Sequence, residues 1–295
     1  MKYKKNKETA LIGLAMILVV LISGCAMTDG DDGIAGPPAS EIVTINGVVL
    51  NMGTYEVEKR LLAVTDSLLA VNVSIHNASN IPNLKIDSFD LPVNLEEFID
   101  GGRIEANRDG LPYPSDNTVL LSVNFTDFDG VYAFASALVD IPDTFSFIDS
   151  LSGGYIGFSD SLKPTWSGAT RAEAYRLNIL FQYIWLDTLG SSHNFRFNKD
   201  VIVFDTSYLI MPQDIFPDSM LIDNIGMFTG SINIFALSGS FLTGNGSNIS
   251  GNASGTFLGA TYGGGVTYNY GSAPPPMSIT TMDKDRAMQI LQDIN

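Results

Sequence analysis

Residues that build disulfides and metal sites are almost missing from this sequence. Its 295 residues include one cysteine, Cys25, and two histidines, His76 and His193. A single cysteine excludes any disulfide within the chain, so the fold depends on its hydrophobic core. The two histidines lack the short spacing of a metal-ligating pair, and we interpret both as surface side chains in polar contexts.

Catalytic signatures are missing as well. No Gly-x-Ser-x-Gly segment, which would present a serine nucleophile, occurs in the chain. No glycine-rich phosphate loop precedes a lysine. We therefore predict that the protein is not an enzyme and that it needs no cofactor.

Basic residues are half as frequent as acidic ones. The chain has 16 Lys and Arg against 32 Asp and Glu, which gives a net charge of −16 at pH 7. A surface with this charge repels phosphate backbones and anionic lipid headgroups. We therefore do not expect nucleic acid as a partner.

The apolar run near the start of the chain is too short to cross a membrane. It extends from Ala10 to Ile22 without a charge and follows lysines at positions 2, 4, 5 and 7. A transmembrane helix needs about 20 apolar residues. A basic head followed by a short apolar body is typical of a secretory signal peptide. A single membrane anchor is the alternative.

The cysteine follows this run directly, in the sequence Ile22-Ser23-Gly24-Cys25. The segment resembles the lipobox of bacterial lipoproteins, in which an aliphatic residue and two small residues precede an invariant cysteine. The resemblance implies that the Cys25 sulfur receives a diacylglycerol, that the peptide is cut before Cys25, and that the new amino terminus is acylated. A small buried cysteine after an ordinary signal peptide is the alternative.

The resemblance also implies a location and a first partner. Two acyl chains hold a protein stably on a membrane, so the lipid bilayer would be bound through acylated Cys25. The residue after the cysteine is Ala26 rather than Asp, which favours the outer over the inner membrane of the cell envelope. Residues 1–24 hold four Lys and one Glu, so cleavage would leave 12 basic and 31 acidic residues and a net charge of −19.

Beyond the signal, a hydrophobic period of two predicts an all-β protein. Val71, Val73 and Ile75 alternate with polar residues, as strands with one buried face do. Residues 131–141 are apolar on both faces, which predicts a strand covered on each side. Glycine is frequent in the region 238–271, which predicts edge strands at 256–261 and 266–270.

These patterns predict one or two antiparallel β-sandwich domains after the signal and the tether, with a short C-terminal helix. A single elongated β-domain is the alternative to two sandwiches. The predicted parts are a lipoprotein signal peptide at 1–24, a Gly/Asp/Pro-rich tether at 25–41, an N-terminal β-sandwich-like domain at 42–143, a second β-sandwich at 144–273, and a Pro linker with an amphipathic helix at 274–295.

The second region carries a family resemblance. Trp166 is followed nine residues later by Tyr175, which begins an alternating strand, and Thr206 and Tyr208 form a Thr-x-Tyr pattern. These positions resemble those of fibronectin type III and related immunoglobulin-like modules, and the resemblance extends over about 145–272. It implies a β-sandwich.

Carboxylates are the remaining candidates for chemistry. Asp127 and Asp129 precede Gly130 in a fragment of a calcium-binding loop, although a hairpin turn uses the same residues for its backbone geometry. An acidic cluster precedes them, with calcium or glycan binding as its functional interpretation and a solvated loop as the alternative. Its members are Glu96, Glu97, Asp100, Glu105 and Asp109.

Aromatic side chains offer one further candidate site. Tyr183, Trp185, Tyr268 and Tyr270 could form a stacking surface for sugar rings or an interface, with burial in the core as the alternative. We expect a non-enzymatic binding or envelope-assembly module whose partner is an envelope protein or a glycan. The alternative is a carbohydrate-active or calcium-dependent glycan-binding lipoprotein that uses the acidic region 94–129.

Overall fold

The structure, a computed structural model, describes residues 42–52, 68–93, 103–148, 154–217, 219, 221–239, 246–271 and 282–292. Backbone contacts group the described residues into one compact unit, Glu41–Asn295. Cys25 and the predicted signal peptide and tether lie outside the described residues. Within the described ranges, no helix is both long enough and apolar enough to span a membrane.

Strands dominate the described residues, which confirms the all-β prediction. Two short helices accompany them: α1 (Pro212–Ile215) and α2 (Lys284–Gln292). The strands are β1 (Val43–Asn51), β2 (Leu68–His76), β3 (Ala78–Ile86), β4 (Phe89–Asp90), β5 (Arg103–Pro112), β6 (Thr118–Asp127), β7 (Tyr132–Asp140), β8 (Tyr155–Ile156), β9 (Ala174–Asp187), β10 (Ser192–Val203), β11 (Ile222–Ser238), β12 (Ser250–Gly251) and β13 (Ala253–Tyr270).

The strands form a large sheet and a small sheet. The large sheet has the order β10-β9-β11-β13-β1-β2-β5, with β8 paired to β13, and the small sheet has the order β12-β7-β6-β3-β4. The pairing of β1 with β13 is parallel and runs from Val43↔Ala253 to Asn51↔Thr261. This pair joins the first described strand of the chain to the last.

The large sheet crosses the predicted domain boundary at residue 143. Strands β1, β2 and β5 come from the predicted N-terminal domain, and β9, β10, β11 and β13 come from the predicted second domain. All of them belong to the compact unit Glu41–Asn295. One hydrogen-bonded sheet is therefore shared by strands from both sides of the predicted boundary.

One face of the large sheet, here called the front face, buries an aliphatic core where β1, β2 and β5 lie. Val71, Val73 and Ile75 are buried there, as their alternation predicts, and pack against Leu121 and Val123 of the small sheet. This half of the molecule is a sandwich of two sheets.

The other half of the front face, under β9, β10 and β11, has no second sheet above it among the described residues. The segments around Trp166 and around Ile210 cover it instead, joined by isolated bridges such as Leu162↔Ile210. The Thr-x-Tyr pattern at Thr206 and Tyr208, which resembles a strand of fibronectin type III modules, lies in the covering segment around Ile210. In the structure this segment forms bridges and α1, because it crosses the sheet as an irregular cover.

The opposite face, here called the back face, is covered at its centre by α2. Ala287, Ile290 and Leu291 of α2 are buried against Leu50 and Phe235, among other residues of the sheet. Their helical spacing predicts this amphipathic helix, and the structure shows that it packs on its own sheet.

Two expectations about strands were wrong. The glycine-rich region is one long central strand, β13, between β11 and β1, rather than two edge strands. Its glycines permit close approach: a Cβ on Gly259 would lie 1.9 Å from the Asp140 carbonyl oxygen, and one on Gly255 would lie 2.0 Å from that of Ile45. The segment 131–141, expected to be covered on both sides, contains β7, which is covered on one side only.

Candidate functional site

The exposed side of β7 forms an apolar surface with β6 and the turn that connects them. Cross-strand pairs place Leu120 opposite Leu138 and Asn124 opposite Phe134 on this side of the small sheet. Six large side chains, here called the outer stripe, are between 40% and 64% exposed. They are Leu120, Phe128, Val131, Tyr132, Phe134 and Leu138.

Hydrogen bonds in the β6–β7 turn hold one end of the outer stripe in place. The Asp127 carboxylate accepts a hydrogen bond of 2.9 Å from the Val131 amide, and the Gly130 amide donates to the Asp127 carbonyl. Gly130 has φ +78°, a conformation that glycine adopts without strain. Asp127 therefore closes a tight turn that presents Phe128 and Val131 to solvent.

Carboxylates lie at both ends of the outer stripe. Asp127 and Asp129 lie in or beside the turn, and Asp140 ends β7 at the other end with its side chain exposed. Ser122 and Ser136 pair with each other between Leu138 and Phe134, so the surface has an apolar patch on each side of this pair and carboxylates near both ends. Isolated exposed apolar residues are ordinary on proteins, but six large ones on two paired strands and their turn are typical of an interaction surface.

The described residues form no cluster of ligands that would support the predicted calcium site. Across the described ranges, no three His, Cys, Asp or Glu side chains are grouped as a metal ion would require. Glu96, Glu97 and Asp100 lie outside the described residues, and calcium binding stays a prediction for them. Of the two predicted calcium ligands, Asp127 accepts the hydrogen bond that closes the β6–β7 turn, and Asp129 is exposed within that turn.

Two members of the predicted acidic cluster line a polar groove on the back face, beside α2. Two adjoining cavities of about 240 and 330 Å³ share Asn72 and Gln292 in their walls. The walls of this polar groove are mostly amides, hydroxyls and carboxylates. The polar side chains are Asn46, Asn72, Ser74, His76, Glu105, Asn107, Asp109, Lys284, Asp285, Gln289 and Gln292.

Hydrogen bonds fix several walls of the polar groove. Asn72 donates to the Asn107 side chain, and Ser74 is 3.0 Å from the His76 ring nitrogen. Lys284 binds the carboxylate of Asp109 across the groove. Burial opposes the charge on Lys284, but the hydrogen bond and the charge of Asp109 outweigh it and raise the pKa of the ammonium. Lys284 therefore stays charged and ties α2 to β5.

The predicted aromatic stacking surface is mostly inside the protein. Tyr183 and Tyr268 are 1% exposed and Trp185 is 7% exposed, within the aromatic core of the front face. Buried rings cannot stack on a sugar, so only the partly exposed Tyr270 retains that prediction. Burial raises the pKa of the Tyr268 hydroxyl well above its usual range.

The second histidine takes part in a small cluster where β9 turns into β10. The His193 ring stacks on Trp185 with centroids 4.3 Å apart, and its Nε2 lies 2.9 Å from the Asp187 carboxylate. This hydrogen bond, together with the backbone amides of Ser191 and Leu189, lowers the pKa of Asp187. The cluster stabilises a turn and has no third ligating side chain among the described residues.

Sequence reasoning missed the outer stripe, although a signal for it was present. The segment 131–141 has apolar residues on both of its faces, and we interpreted this pattern as a strand that is buried on both faces. Exposure of Tyr132, Phe134 and Leu138 depends on what the rest of the chain places above β7, which a local pattern does not contain.

Comparison with known proteins gives no relative: no protein-family model matches the chain, and no curated protein matches it.

Proposed function

We propose that this chain is a lipid-anchored protein of the bacterial cell envelope that acts as a non-enzymatic binding or assembly module. In this proposal the outer stripe is the surface that contacts a partner protein. The observation that carries the proposal is the exposure of six large apolar side chains on the outer side of β6 and β7 and on the turn between them. A protein interface with an apolar centre and a charged rim has this composition.

The start of the described fold is consistent with the anchoring part of the proposal. The sequence predicts a lipidated cysteine and a tether that ends at residue 41. The first described strand, β1, begins at Val43, two residues after the predicted end of the tether. A flexible tether of this kind would leave the outer stripe free to approach a neighbouring envelope protein. The proposed location is the outer membrane rather than the inner membrane.

The charges around the outer stripe indicate the chemistry of the partner. Asp129 and Asp140 are exposed near opposite ends of the row, and the whole chain is acidic. We therefore expect a partner protein that offers an apolar centre with basic residues at its rim, because complementary charge speeds association and fixes register.

Site-specific photo-cross-linking in whole cells tests this contact. A photoreactive phenylalanine analogue replaces Phe134 in one strain and Leu189 in another; Leu189 is exposed at the turn between β9 and β10. The proposal predicts one discrete cross-linked protein from position 134 and none from position 189. Adding Phe128→Asp to the Phe134 analogue should remove that product, because a carboxylate would be buried at the interface.

Two results would contradict the contact. The first is a lack of any product from position 134 while the chain is present in the envelope at its normal level. The second is the same set of products from positions 134 and 189, which would indicate random collision with abundant neighbours.

A second candidate function is supported by the polar groove. Its amide and carboxylate walls offer hydrogen bonds of the kind that neutral sugars accept and donate, and Glu105 and Asp109 belong to the acidic region that predicts glycan binding. This candidate is a glycan-binding lipoprotein whose site lies beside α2 rather than on the aromatic residues.

Thermal unfolding tests the groove with named additives. A ligand that binds only the folded state stabilises it and so raises the unfolding midpoint. At a free ligand concentration 100 times the dissociation constant, the gain in the free energy of unfolding is about 2.7 kcal/mol. Neutral oligosaccharides of N-acetylglucosamine should raise the midpoint of the parent chain and leave that of Asn107→Leu unchanged. Calcium against a chelator is the parallel experiment for the calcium prediction. No shift with either additive would remove this candidate.

A further inference from the structure

In the described part of the chain, three of the four strands that end a sheet are short or interrupted, although the terminal strands of the small sheet pair with only two residues each of β7 and β3. The small sheet ends in β12 and β4, which have two residues each. The large sheet ends at β5, which contains Gly110 at φ +73° and Pro112, and whose register with β2 shifts between Leu69 and Val71. Short strands, bulges and prolines are the usual means by which proteins block edge pairing.

The fourth edge, β10, is neither short nor interrupted, although it carries one charged residue, Lys199, on its front face. It is 12 residues long, contains neither glycine nor proline, and pairs with β9 from Ser192↔Leu186 to Val203↔Tyr175 without a register shift. Within the described ranges, no strand pairs with its outer side. A long regular edge of this kind presents a row of backbone donors and acceptors to any strand that approaches.

The two faces of β10 differ in a way that suits sheet extension. Phe195, Phe197, Val201 and Val203 face the front and pack partly against the aromatic core, and Lys199 lies between them and donates a hydrogen bond to the Tyr208 hydroxyl. Asn198 and the residues that alternate with this apolar row face the back, and most of these are exposed. A strand added at this edge would therefore continue the aromatic core on one side and a polar surface on the other.

We propose that β10 pairs with β10 of a second copy of this chain, antiparallel, around a two-fold axis at Asn198. In this register Arg196 lies opposite Asp200 of the second copy, and the symmetry repeats that ion pair on the other side of the axis. On the front face, Phe195 lies opposite Val201 of the second copy. Opposite charges and aromatic–aliphatic pairs directly across two strands are both favourable.

Neighbouring registers lack these matches. The two faces of the sheet continue across the axis only if residues of the same face are paired, so the nearest alternatives are centred on Phe197 and Lys199. Centring on Lys199 places two ammonium groups opposite each other. Centring on Phe197 places Arg196 opposite Asn198 and forms no ion pair.

The groups of the proposed ion pair are accessible in the single chain. Arg196 is exposed and forms no hydrogen bond or ion pair within the described structure. Asp200 is 38% exposed; it accepts a hydrogen bond of 2.9 Å from Asn178 and lies 3.5 Å from the Arg176 guanidinium. A carboxylate has enough acceptor positions to bind Arg196 of the second copy as well.

The interruption of β5 also determines where assembly stops. A sheet with two open edges would add copies indefinitely, whereas a sheet with one open edge closes after two copies around a two-fold axis. Because β5 is interrupted, pairing through β10 gives a dimer and no fibre. This inference does not depend on the proposed anchor or on the outer stripe.

Thiol cross-linking of the full chain in detergent micelles tests the proposed register. Asn198→Cys should place the two introduced thiols directly opposite each other, and a short bis-maleimide should convert most of the chain into a covalent dimer on a reducing gel. The matched control is Asn194→Cys on the same face of β10, where the two thiols would be about 26 Å apart along the strands. The parent chain, which retains Cys25, gives the background.

Charge reversal tests the ion pair independently. In the Asn198→Cys chain, Arg196→Glu should reduce the covalent dimer at least fivefold, because two carboxylates would then face each other on each side of the axis. Arg196→Lys should retain most of it. Lys85→Glu, a reversal on the small sheet, should leave it unchanged. Circular dichroism confirms that each variant is folded.

Three outcomes would overturn the proposal. One is a folded Asn198→Cys chain that gives no more dimer than the parent. Another is equal dimer from Asn198→Cys and Asn194→Cys, which would show unspecific collision. The third is a larger yield from Phe197→Cys than from Asn198→Cys, which would place the axis elsewhere.

Discussion

The two halves of the front face are covered in different ways by the same chain. Under β1, β2 and β5 the cover is a second sheet, and the buried side chains are mostly aliphatic. Under β9, β10 and β11 the cover is irregular, and 7 of the 19 buried side chains are aromatic, against 2 of 26 in the first half. The buried rings on this side are Trp166, Tyr175, Phe181, Tyr183, Trp185, Phe216 and Tyr268.

This difference has a geometric explanation. Two sheets stack at a constant spacing of about 10 Å, so branched aliphatic side chains of similar size fill the layer between them. An irregular cover leaves gaps of uneven depth, and large rings fill these gaps. Edge-to-face pairs then fix the geometry, such as Trp166 with Tyr175 at 5.5 Å and Phe158 with Phe216 at 5.1 Å.

The largest expected effect comes from removing the central ring of the aromatic half. Trp166→Ala should lower the free energy of unfolding by about 3–5 kcal/mol, because a side chain that is 1% exposed leaves a large cavity. Leu121→Ala in the aliphatic half should lower it by about 2–5 kcal/mol. Urea unfolding followed by circular dichroism compares them, and a loss below 1 kcal/mol for Trp166→Ala would contradict the role of the rings.

A smaller effect is expected where the two halves meet. A Cβ on Gly259 would lie 1.9 Å from the Asp140 carbonyl oxygen and 2.8 Å from Ser238 Oγ. Gly259→Ala must therefore move β13 away from the end of β7, at a loss of about 1–3 kcal/mol. Gly154→Ala, where a Cβ meets nothing within 4 Å, is the control. Equal stability of the two variants in urea would show that the halves are not in tight contact there.

A gain in stability is expected inside the aromatic half. The Tyr268 hydroxyl is buried and has no hydrogen-bond partner within the described structure. Tyr268→Phe removes this unpaired group and should stabilise the fold by up to about 1 kcal/mol at pH 7. The exposed Tyr132→Phe should have no effect. A clear loss of stability in Tyr268→Phe would indicate that the hydroxyl does have a partner.

The same tyrosine predicts a response to alkaline pH. Its pKa is raised in the folded state because burial disfavours the phenolate. The resulting stability is present below the unfolded pKa of about 10 and is lost as pH rises through the folded value. The thermal midpoint should fall less steeply above pH 10 in Tyr268→Phe than in the parent chain. Parallel curves would contradict this assignment.

The smallest effect is expected at the exposed turn beside the aromatic half. The His193 side chain, with the backbone amides of Ser191 and Leu189, lowers the folded pKa of Asp187. Stability from this carboxylate is therefore present above about pH 4 and is lost as pH falls through the folded pKa. Asp187→Asn should flatten the decline of the thermal midpoint between pH 4 and pH 2. An unchanged decline would show that the turn does not depend on the charge.

Local patterns in the sequence predicted what local physics determines. The alternation at Val71, Val73 and Ile75 predicts the strand and its buried face, and the helical spacing of Ala287, Ile290 and Leu291 predicts the buried stripe of α2. Both follow from the side-chain period of one element, and the structure confirms both.

Long-range arrangement was not predictable in this way. The parallel pairing of β1 with β13 joins residues about two hundred positions apart, and it turns a glycine-rich segment into a central strand. The exposure of Phe134 and the position of Lys284 across from Asp109 likewise depend on which parts of the chain meet. The outer stripe, and the polar groove apart from Glu105 and Asp109, therefore appeared only in three dimensions.

Metabolic labelling with radioactive palmitate tests the proposed anchor most directly. Cells that express the parent chain should incorporate label into it, and the chain should sediment with membranes. Cys25→Ser should remove the label and release the chain from the membrane fraction, because the sulfur that carries the diacylglycerol is gone. Label and sedimentation that persist unchanged in Cys25→Ser would contradict the account.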